Sequence, residues 1–591
     1  MNNSDYLVDY LLKNNIDTAF GVTGGGAMFL NEAFRKRKKL KFVYTHHEQS
    51  AAMAAEAYCR VKKKPAILSV TSGPGGTNAI TGVVGSWVDS IPMIVISGQV
   101  ELKDTIKISN TRQIGIQEVK IIDIVKSITK YCKSLDHNSD IELEIRKAVS
   151  IANEGRPGPV WLDIPLDIQS KKFLPSKKKY KLDKKALKKK KLDTKKIFSL
   201  IDKSSRPLIL IGNGLHVSKS EKEFLKFNKS VKIPVLSSWN ASDILPSNHK
   251  LNFGRPGLFG NRISNFALQA CDLLIILGSR LSVPITGYQI KNFSPKSKKI
   301  YIDIDKYEMV KRNLKIDYKL NIDLKIFLKK LNLDLKNKKK IIKNKWVKTL
   351  RDLDHYLDED NSYKDRKGYI NSFNFIHNLS DCLSGNENIV TDMGTSFTCT
   401  MQSFKTKYNQ RLFTSSGVAA MGFGLPGLLG VYFAQKNKKP ICITGDGGIM
   451  FNLQELQTII NHKIPAKIFI INNQGYLTMK LMQKKNFKKF VGADKKSGVN
   501  FPDFIKLSSL LGYQTLKITN QNNLRGKLKK ILKSSKPTVC EVMMPPMQEL
   551  TPRVQTQMNK DGTFEPSFID NMYPFLNKRK LNEIRKKLVS I

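Results

Sequence analysis

Read for the spacing of its apolar positions, the chain repeats one grammar three times. Short apolar runs such as TAFGV, KFVYT, AILSV and PMIVISG alternate with stretches whose apolar residues recur at helical spacing. The first such stretch has Leu7, Val8, Leu11 and Leu12 on one face behind Ser4, a residue type suited to capping a helix start. The grammar resumes at RPLILIGNG, KIPVLSS, DLLIILGSR and KIYIDID, and a third time at NIVTDMG, KPICITGDGG, AKIFIINN and PTVCEVMMP. Strands alternating with helices predict parallel sheets covered on both faces, hence an α/β protein of three doubly wound units. The pattern places a first domain over 1–169, a lysine-rich linker over 170–193, a middle domain over 194–335, a basic linker over 336–366 and a third domain over 367–546. The tail, 547–591, has little strand character and reads as a lid or a pad over another domain.

Composition narrows the function classes. At 591 residues, 41% of them apolar, the chain has material for several cores. No apolar run approaches the roughly 20 residues of a membrane helix, and the start MNNSDYLVDYLLKNN lacks a signal peptide's basic and apolar blocks. Seven dispersed cysteines without a CxxC pair read as reduced core thiols, which points to the cytoplasm. The formal charge of +50 does not identify a nucleic-acid binder. Its lysines are spread along the chain, densest in the two linkers, instead of clustering with aromatics on one element.

The chemistry concentrates where two core-like runs end in polar residues. The run ending at Gly445-Asp446-Gly447-Gly448 and the run ending at Asn472-Asn473 read as strands joined by a helix bearing Leu453, Leu456, Ile459 and Ile460. A crossover of that kind brings Asp446 and Asn473 to one sheet edge, where open parallel sheets bind ligands. A carboxylate with an amide carbonyl suits Mg2+, and neighbouring glycines let a phosphate approach the backbone. No GxxxxGK[ST] is present, which excludes a P-loop.

Gly-Asp-Gly, 24 residues and Asn-Asn resemble the signature of thiamine diphosphate-dependent enzymes. The resemblance implies a pyrimidine-binding, a middle and a diphosphate-binding domain, with Mg2+ held by Asp446, Asn473 and the main-chain carbonyl of Gly475. YTHHEQSAAMAAEAY resembles the motif of the activating glutamate, which assigns that role to Glu48. A carboxyl in a largely apolar pocket, with a raised pKa, suits proton exchange with the cofactor's aminopyrimidine. SGVAAMGFGLPG puts Met421 at the bulky position that bends the cofactor, and TDMGTSF puts Gly394, Thr395 and Ser396 at the diphosphate beside Gly445, Gly447 and Gly448. In this family the two halves of the site meet across a subunit interface, which implies a homodimer or a dimer of dimers. No segment of the chain names a regulatory subunit.

Within the family, HHEQSAAMAAEAY, SVTSGPGGTNAITG, GRPGPVWLDIPLDIQ, MGFGLPG and FNLQELQTI are closest to acetolactate synthase large subunits. Such enzymes decarboxylate a 2-oxo acid, usually pyruvate, and pass the acyl unit to a second carbonyl compound. Gln117 matches a glutamine near the reactive centre; its bland alternative is an amide on a helix surface. His46-His47 lie directly before Glu48 and do not match the downstream pair of simple 2-oxo acid decarboxylases, which favours carboligation. Two departures stand out. The substrate-selecting Trp is replaced by either Met482 or Gln483, and the flavin run after Gly-x-Arg reads GSRLSVPITG. Gly212, Gly214, Gly278, Arg280 and Asp303 are the candidates for embracing a structural FAD. FGVTGGGAMFLNEAF, NNQGYLTMK and KSGVNFPDF also look like relatives from surface-sugar pathways, where the acceptor is a keto-sugar nucleotide.

Overall fold

The computed structural model describes residues 1–106, 111–176, 192–335, 344–358, 365–558, 561 and 563–591. Three parallel sheets carry the fold. The first contains β1 (Thr18–Gly21), β2 (Lys41–Tyr44), β3 (Ala66–Val70), β4 (Met93–Gln99), β5 (Tyr131–Ser134) and β6 (Pro159–Pro165), in the order β2-β1-β3-β4-β6-β5. The second contains β7 (Pro207–Ile211), β8 (Val235–Ser237), β9 (Leu273–Leu277), β10 (Lys298–Asp303) and β11 (Tyr318–Asn321), in the order β11-β10-β9-β7-β8. The third contains β12 (Glu387–Thr391), β13 (Arg411–Phe413), β14 (Lys439–Gly445), β15 (Lys467–Asn472), β16 (Gln514–Ile518) and β17 (Thr538–Met543), in the order β13-β12-β14-β15-β17-β16. The first and third sheets therefore share one topology. The central strands β3, β7, β9 and β12 are buried at every position, as parallel strands covered on both faces must be.

Two expectations change, one at the start of the chain and one between the middle and third domains. The first helix, Asn3–Lys13, is capped by Asn2 in a capping box with Asp5, while Ser4 lies inside the helix and donates to the Gln169 carbonyl at 3.1 Å. Within the stretch expected as a basic linker, Asn344–Asp358 is a helix whose Trp346 is fully buried and donates to the Pro207 carbonyl at 3.1 Å. Its Leu350 and Leu353 share a core with Phe266 and Tyr301 of the middle domain. The tail takes the role of a pad. Its helix Lys578–Val589 inserts Leu581, Ile584 and Leu588 into that same core, and a short antiparallel hairpin, β18 (Thr556–Met558) with β19 (Phe564–Pro566), precedes it. Most of the lysine-rich linker, 177–191, lies outside the described residues.

The first and third domains are joined by two helices, Glu48–Lys62 and Gly424–Ala434, whose approach depends on small residues. A Cβ on Gly430 would lie 2.2 Å from the Ala54 carbonyl oxygen, and one on Gly82 would lie 2.5 Å from the Ala52 Cβ on the other side. This close packing fixes where the N-terminal end of Glu48–Lys62 sits relative to the third sheet.

Candidate active site

Parallel register in the third sheet, with Gly445 opposite Ile471, brings the ends of β14 and β15 together. Asp446 is buried there. Its Oδ2 accepts from the backbone N–H groups of Asn473 at 3.1 Å and Gly475 at 3.0 Å, and its Oδ1 from that of Gly447 at 2.8 Å. Burial still raises its pKa to about 6. Asn473 Oδ1, equally buried, has no hydrogen-bond partner among the described residues, an expensive state for an amide oxygen. A hard cation set against these two oxygens relieves both costs, so the chemistry of the donor set fits Mg2+. Gly475 holds the loop by conformation. Its φ of +143° and a Cβ that would fall 2.2 Å from the Ala493 carbonyl oxygen both require glycine.

The neighbouring residues complete an anion-accepting edge. Gly394, at φ +81°, turns the end of β12 into the helix Thr395–Ser403, whose N-terminus has no side-chain cap and presents backbone donors. Thr395 Oγ1 lies 3.5 Å from Asn473 Nδ2, which ties this turn to the metal loop. Ser396 is buried and donates to the Met393 carbonyl at 3.2 Å. Gly447 is demanded by Tyr476, whose ring a Cβ would meet at 2.2 Å, and Gly448 by Asp392, whose Oδ2 a Cβ would meet at 3.0 Å. Gly445 has open space around it.

Three side chains that pattern reading passed over organise this edge. Asp392 closes the ends of β12 and β14: it accepts from Gly422 N–H at 3.0 Å, Gly424 N–H at 3.3 Å and the Thr444 hydroxyl at 3.0 Å. That clamp places the Met421 segment, with Gly422 at φ +89°. Lys480 is buried and donates to the carbonyls of Asn473 at 2.9 Å and Gln474 at 3.3 Å, bracing the metal loop from the following helix. Asn452 accepts from the Ser50 hydroxyl at 2.9 Å and donates to the Gly422 carbonyl at 2.8 Å, linking the first and third domains. The available signals were an acid ending a strand and a lysine seven positions after Asn473, both too common to single out.

Glu48 opens the helix Glu48–Lys62 and is buried, with Asn78 Nδ2 donating to its Oε2 at 3.0 Å. The helix start is fixed by His47, whose Nδ1 accepts from Gln49 N–H, and by His46 N–H donating to Glu455 at 3.1 Å. Both histidines are thus employed in holding this corner. Gln117 lies in an exposed turn at φ +62°, not on a helix, and its carbonyl packs against Gly73 at the head of the helix that carries Asn78. Glu48, Asn78, Gly73 and Gln117 therefore form one group at the carboxyl edge of the first sheet. Of the two candidates for the missing Trp, Gln483 is spent clamping Val491, donating to its carbonyl at 2.9 Å and accepting its N–H at 3.1 Å. Met482 is half exposed.

Comparison with known proteins agrees with this geometry. Residues 1–124 match the family model of the N-terminal TPP-binding domain of thiamine pyrophosphate enzymes, 194–331 that of the central domain and 392–542 that of the C-terminal TPP-binding domain. The chain belongs to the thiamine pyrophosphate enzymes. As a member of that family it is 31% identical, over 99% of its length and 98% of the relative's, to a probable acetolactate synthase large subunit of Methanocaldococcus jannaschii. It is 29% identical to the acetolactate synthase large subunit of Lactococcus lactis over 96% of both chains, and 29% identical to acetolactate synthase 1 of Nicotiana tabacum over 93% of this chain and 83% of that one. The two matched terminal domains are the ones that carry the Asp446 loop and Glu48. No described helix is long and apolar enough to cross a membrane.

Proposed function

We propose that this protein is an acetolactate synthase-like carboligase that decarboxylates pyruvate and transfers the acyl unit to a second carbonyl compound. The observation carrying the reading is that the chain holds both a buried, cation-seeking Asp446–Asn473 loop on its third domain and a buried Glu48 on its first. Bound thiamine diphosphate would supply the nucleophile and the electron sink that decarboxylation of a 2-oxo acid requires. In this reading Asp446, Asn473 and the Gly475 carbonyl hold Mg2+, and the Thr395–Ser403 N-terminus with Gly394, Thr395 and Ser396 takes the diphosphate. Met421 orients the rings. Glu48 exchanges a proton through its carboxyl, with Asn78 keeping that carboxyl in place. Gln117, exposed beside Gly73, meets the substrate. The site assembles between subunits of a homo-oligomer in the cytoplasm, and the domains read from the sequence are its working units, with the helix Asn344–Asp358 and the last helix of the tail added to the middle one.

One observation favours a second acceptor. Met482 is half exposed, and if it stands where the family has its indole, the wall that selects a small second 2-oxo acid is reduced to a flexible thioether. A keto-sugar nucleotide is the acceptor in that reading. Mass spectrometry of products from labelled pyruvate separates the two. Acetolactate from pyruvate alone supports the first, whereas carbon dioxide release that requires the keto-sugar nucleotide replaces it with the second.

Flavin does not fit the residues expected to hold it. Gly214, Gly278, Arg280 and Asp303 line one cleft of about 390 Å³. However, the N–H groups of Gly212, Gly214 and Gly278 are spent on Leu277, Gly278 and Ile302 carbonyls. Arg280 is spent on the Val88 carbonyl at 3.0 Å and Asp89 at 3.1 Å. The glycines and Arg280 expected to hold FAD therefore supply the shape of the cleft without free phosphate donors of their own. Purified protein is expected to show no flavin absorption.

A further inference from the structure

The loop that would hold the cation is poor in negative charge and has a positive charge buried against it. Among the described residues, no group of three or more His, Cys, Asp or Glu side chains is placed to hold a metal. Asp446 is thus a lone carboxylate among the loop's oxygens. Asp392 is occupied by the N–H groups of Met393, Gly422 and Gly424 and by the Thr444 hydroxyl. Asp494 caps its own turn, accepting from the Ser497 N–H at 3.0 Å and hydroxyl at 2.8 Å. Against these stands Lys480, 2% exposed, whose ammonium donates to the carbonyls of Asn473 and Gln474. Asp446 and Asp494 act on it through space, and among the described residues it makes no ion pair with either.

This placement is unfavourable on three counts. An ammonium is buried without a paired carboxylate. It is the fourth residue of the helix Leu477–Phe487, at the end where the helix dipole already disfavours a cation. It also lies against the residue whose side-chain oxygen is offered to a divalent ion. Bracing two carbonyls needs donors but no charge. Asn473 shows what the charge is set against: its N–H goes to Asp446, its carbonyl to Lys480 and its Nδ2 to Thr395, which leaves Oδ1 without a partner. Asp446 and Lys480 together bring the side-chain charge at this loop close to zero, so the protein alone attracts a divalent cation weakly, and a diphosphate supplies the missing negative charge. We infer that Lys480 is a positioning residue whose charge makes metal uptake conditional on the coenzyme's diphosphate, so that Mg2+ enters with it and not alone. That role rests on the reading that Asp446, Asn473 and the Gly475 carbonyl hold the metal. Because coupling is reciprocal, the metal tightens coenzyme binding by the same factor.

The test is electron paramagnetic resonance titration of Mn2+, standing in for Mg2+, into the full chain with and without thiamine diphosphate. It compares the wild type, Lys480→Met, Lys480→Arg and Asp446→Ala. In the wild type the coenzyme is expected to tighten Mn2+ binding about tenfold or more. Lys480→Met is expected to tighten coenzyme-free Mn2+ binding by about tenfold and to shrink that coupling, while Lys480→Arg behaves as the wild type. A brace with no electrostatic task predicts the opposite sign, because a slackened loop binds the metal more weakly. Lys480→Gln, which keeps an N–H donor, serves if Lys480→Met fails to fold. Coenzyme-free binding that neither neutral variant tightens, or a wild type that binds Mn2+ equally with and without coenzyme, overturns the role of Lys480 alone. A wild type that takes up no Mn2+ even with the coenzyme, or Asp446→Ala that binds it as the wild type does, overturns the metal seat itself and the role of Lys480 with it.

Discussion

Glu48 and Asp446 are both buried acids, yet their surroundings suit them to different tasks. Asp446 is gripped by three backbone N–H groups, whereas Glu48 is held by a single amide that leaves its second oxygen available. Glu48→Gln is therefore expected to bind thiamine diphosphate nearly as the wild type does while turnover falls about 10²- to 10⁴-fold. Asp446→Ala loses both. Calorimetric cofactor binding beside steady-state rates checks the pair, and a fully active Glu48→Gln would remove the assigned role. A third buried acid concerns stability. Burial raises Asp163 from its ordinary 3.8 to about 6, despite hydrogen bonds from Ser97 at 2.5 Å and Ser134 at 3.2 Å. Its folded-state pKa lies above the unfolded one, so the proton-linked stability is complete below pH 3.8 and lost as pH rises through 6. Asp163→Asn is expected to abolish that decline, up to about 3 kcal/mol between acid and neutral pH. Denaturant unfolding at both pH values measures it, and equal pH slopes for mutant and wild type would refute it.

Between elements, the contact of Glu48–Lys62 with Gly424–Ala434 is set by absent side chains. Gly430→Val pushes a branched group into the Ala54 carbonyl and the Ala57 methyl, and is expected to destabilise the protein by about 1–3 kcal/mol or more. Thermal unfolding reads that loss, and an unchanged midpoint would show that the helices can separate freely. The same scale shows what the sequence revealed. The buried central strands were legible as uninterrupted apolar runs, but β5, β11, β13 and β16 were missed. All four stand at sheet edges, where one side meets solvent and Lys133, Lys319, Arg411 and Lys517 interrupt the pattern. Helix Asn344–Asp358 was hidden similarly: its buried Trp346, Leu350, Leu353 and Leu357 sit among lysines that dominate local composition. In the site, Asp446 and Asn473 were legible because strand ends and glycines announce them. Asp392, Asn78 and the turn at Gln117 were not, since their roles come from contacts made across domains or strands distant in sequence.

Across the whole molecule, the shared strand order of the first and third sheets means that two equivalent platforms present their carboxyl edges, one bearing Glu48 and the other Asp446. If sites assemble between subunits, mixing inactive Glu48→Gln with inactive Asp446→Ala chains restores one intact site in each mixed dimer. Recovered acetolactate formation after subunit exchange is the expected result, and a mixture as inactive as its parts would place both groups within one chain. The pad of the tail carries a different consequence. The apolar face of the middle domain is covered by Leu581, Ile584 and Leu588, residues translated only after the entire third sheet. The domain whose strands emerge second from the ribosome therefore stays partly bare until the third has been made. A nascent chain cut short before that helix would expose an oily surface to chaperones and proteases, even with every residue of the catalytic crevice already in place.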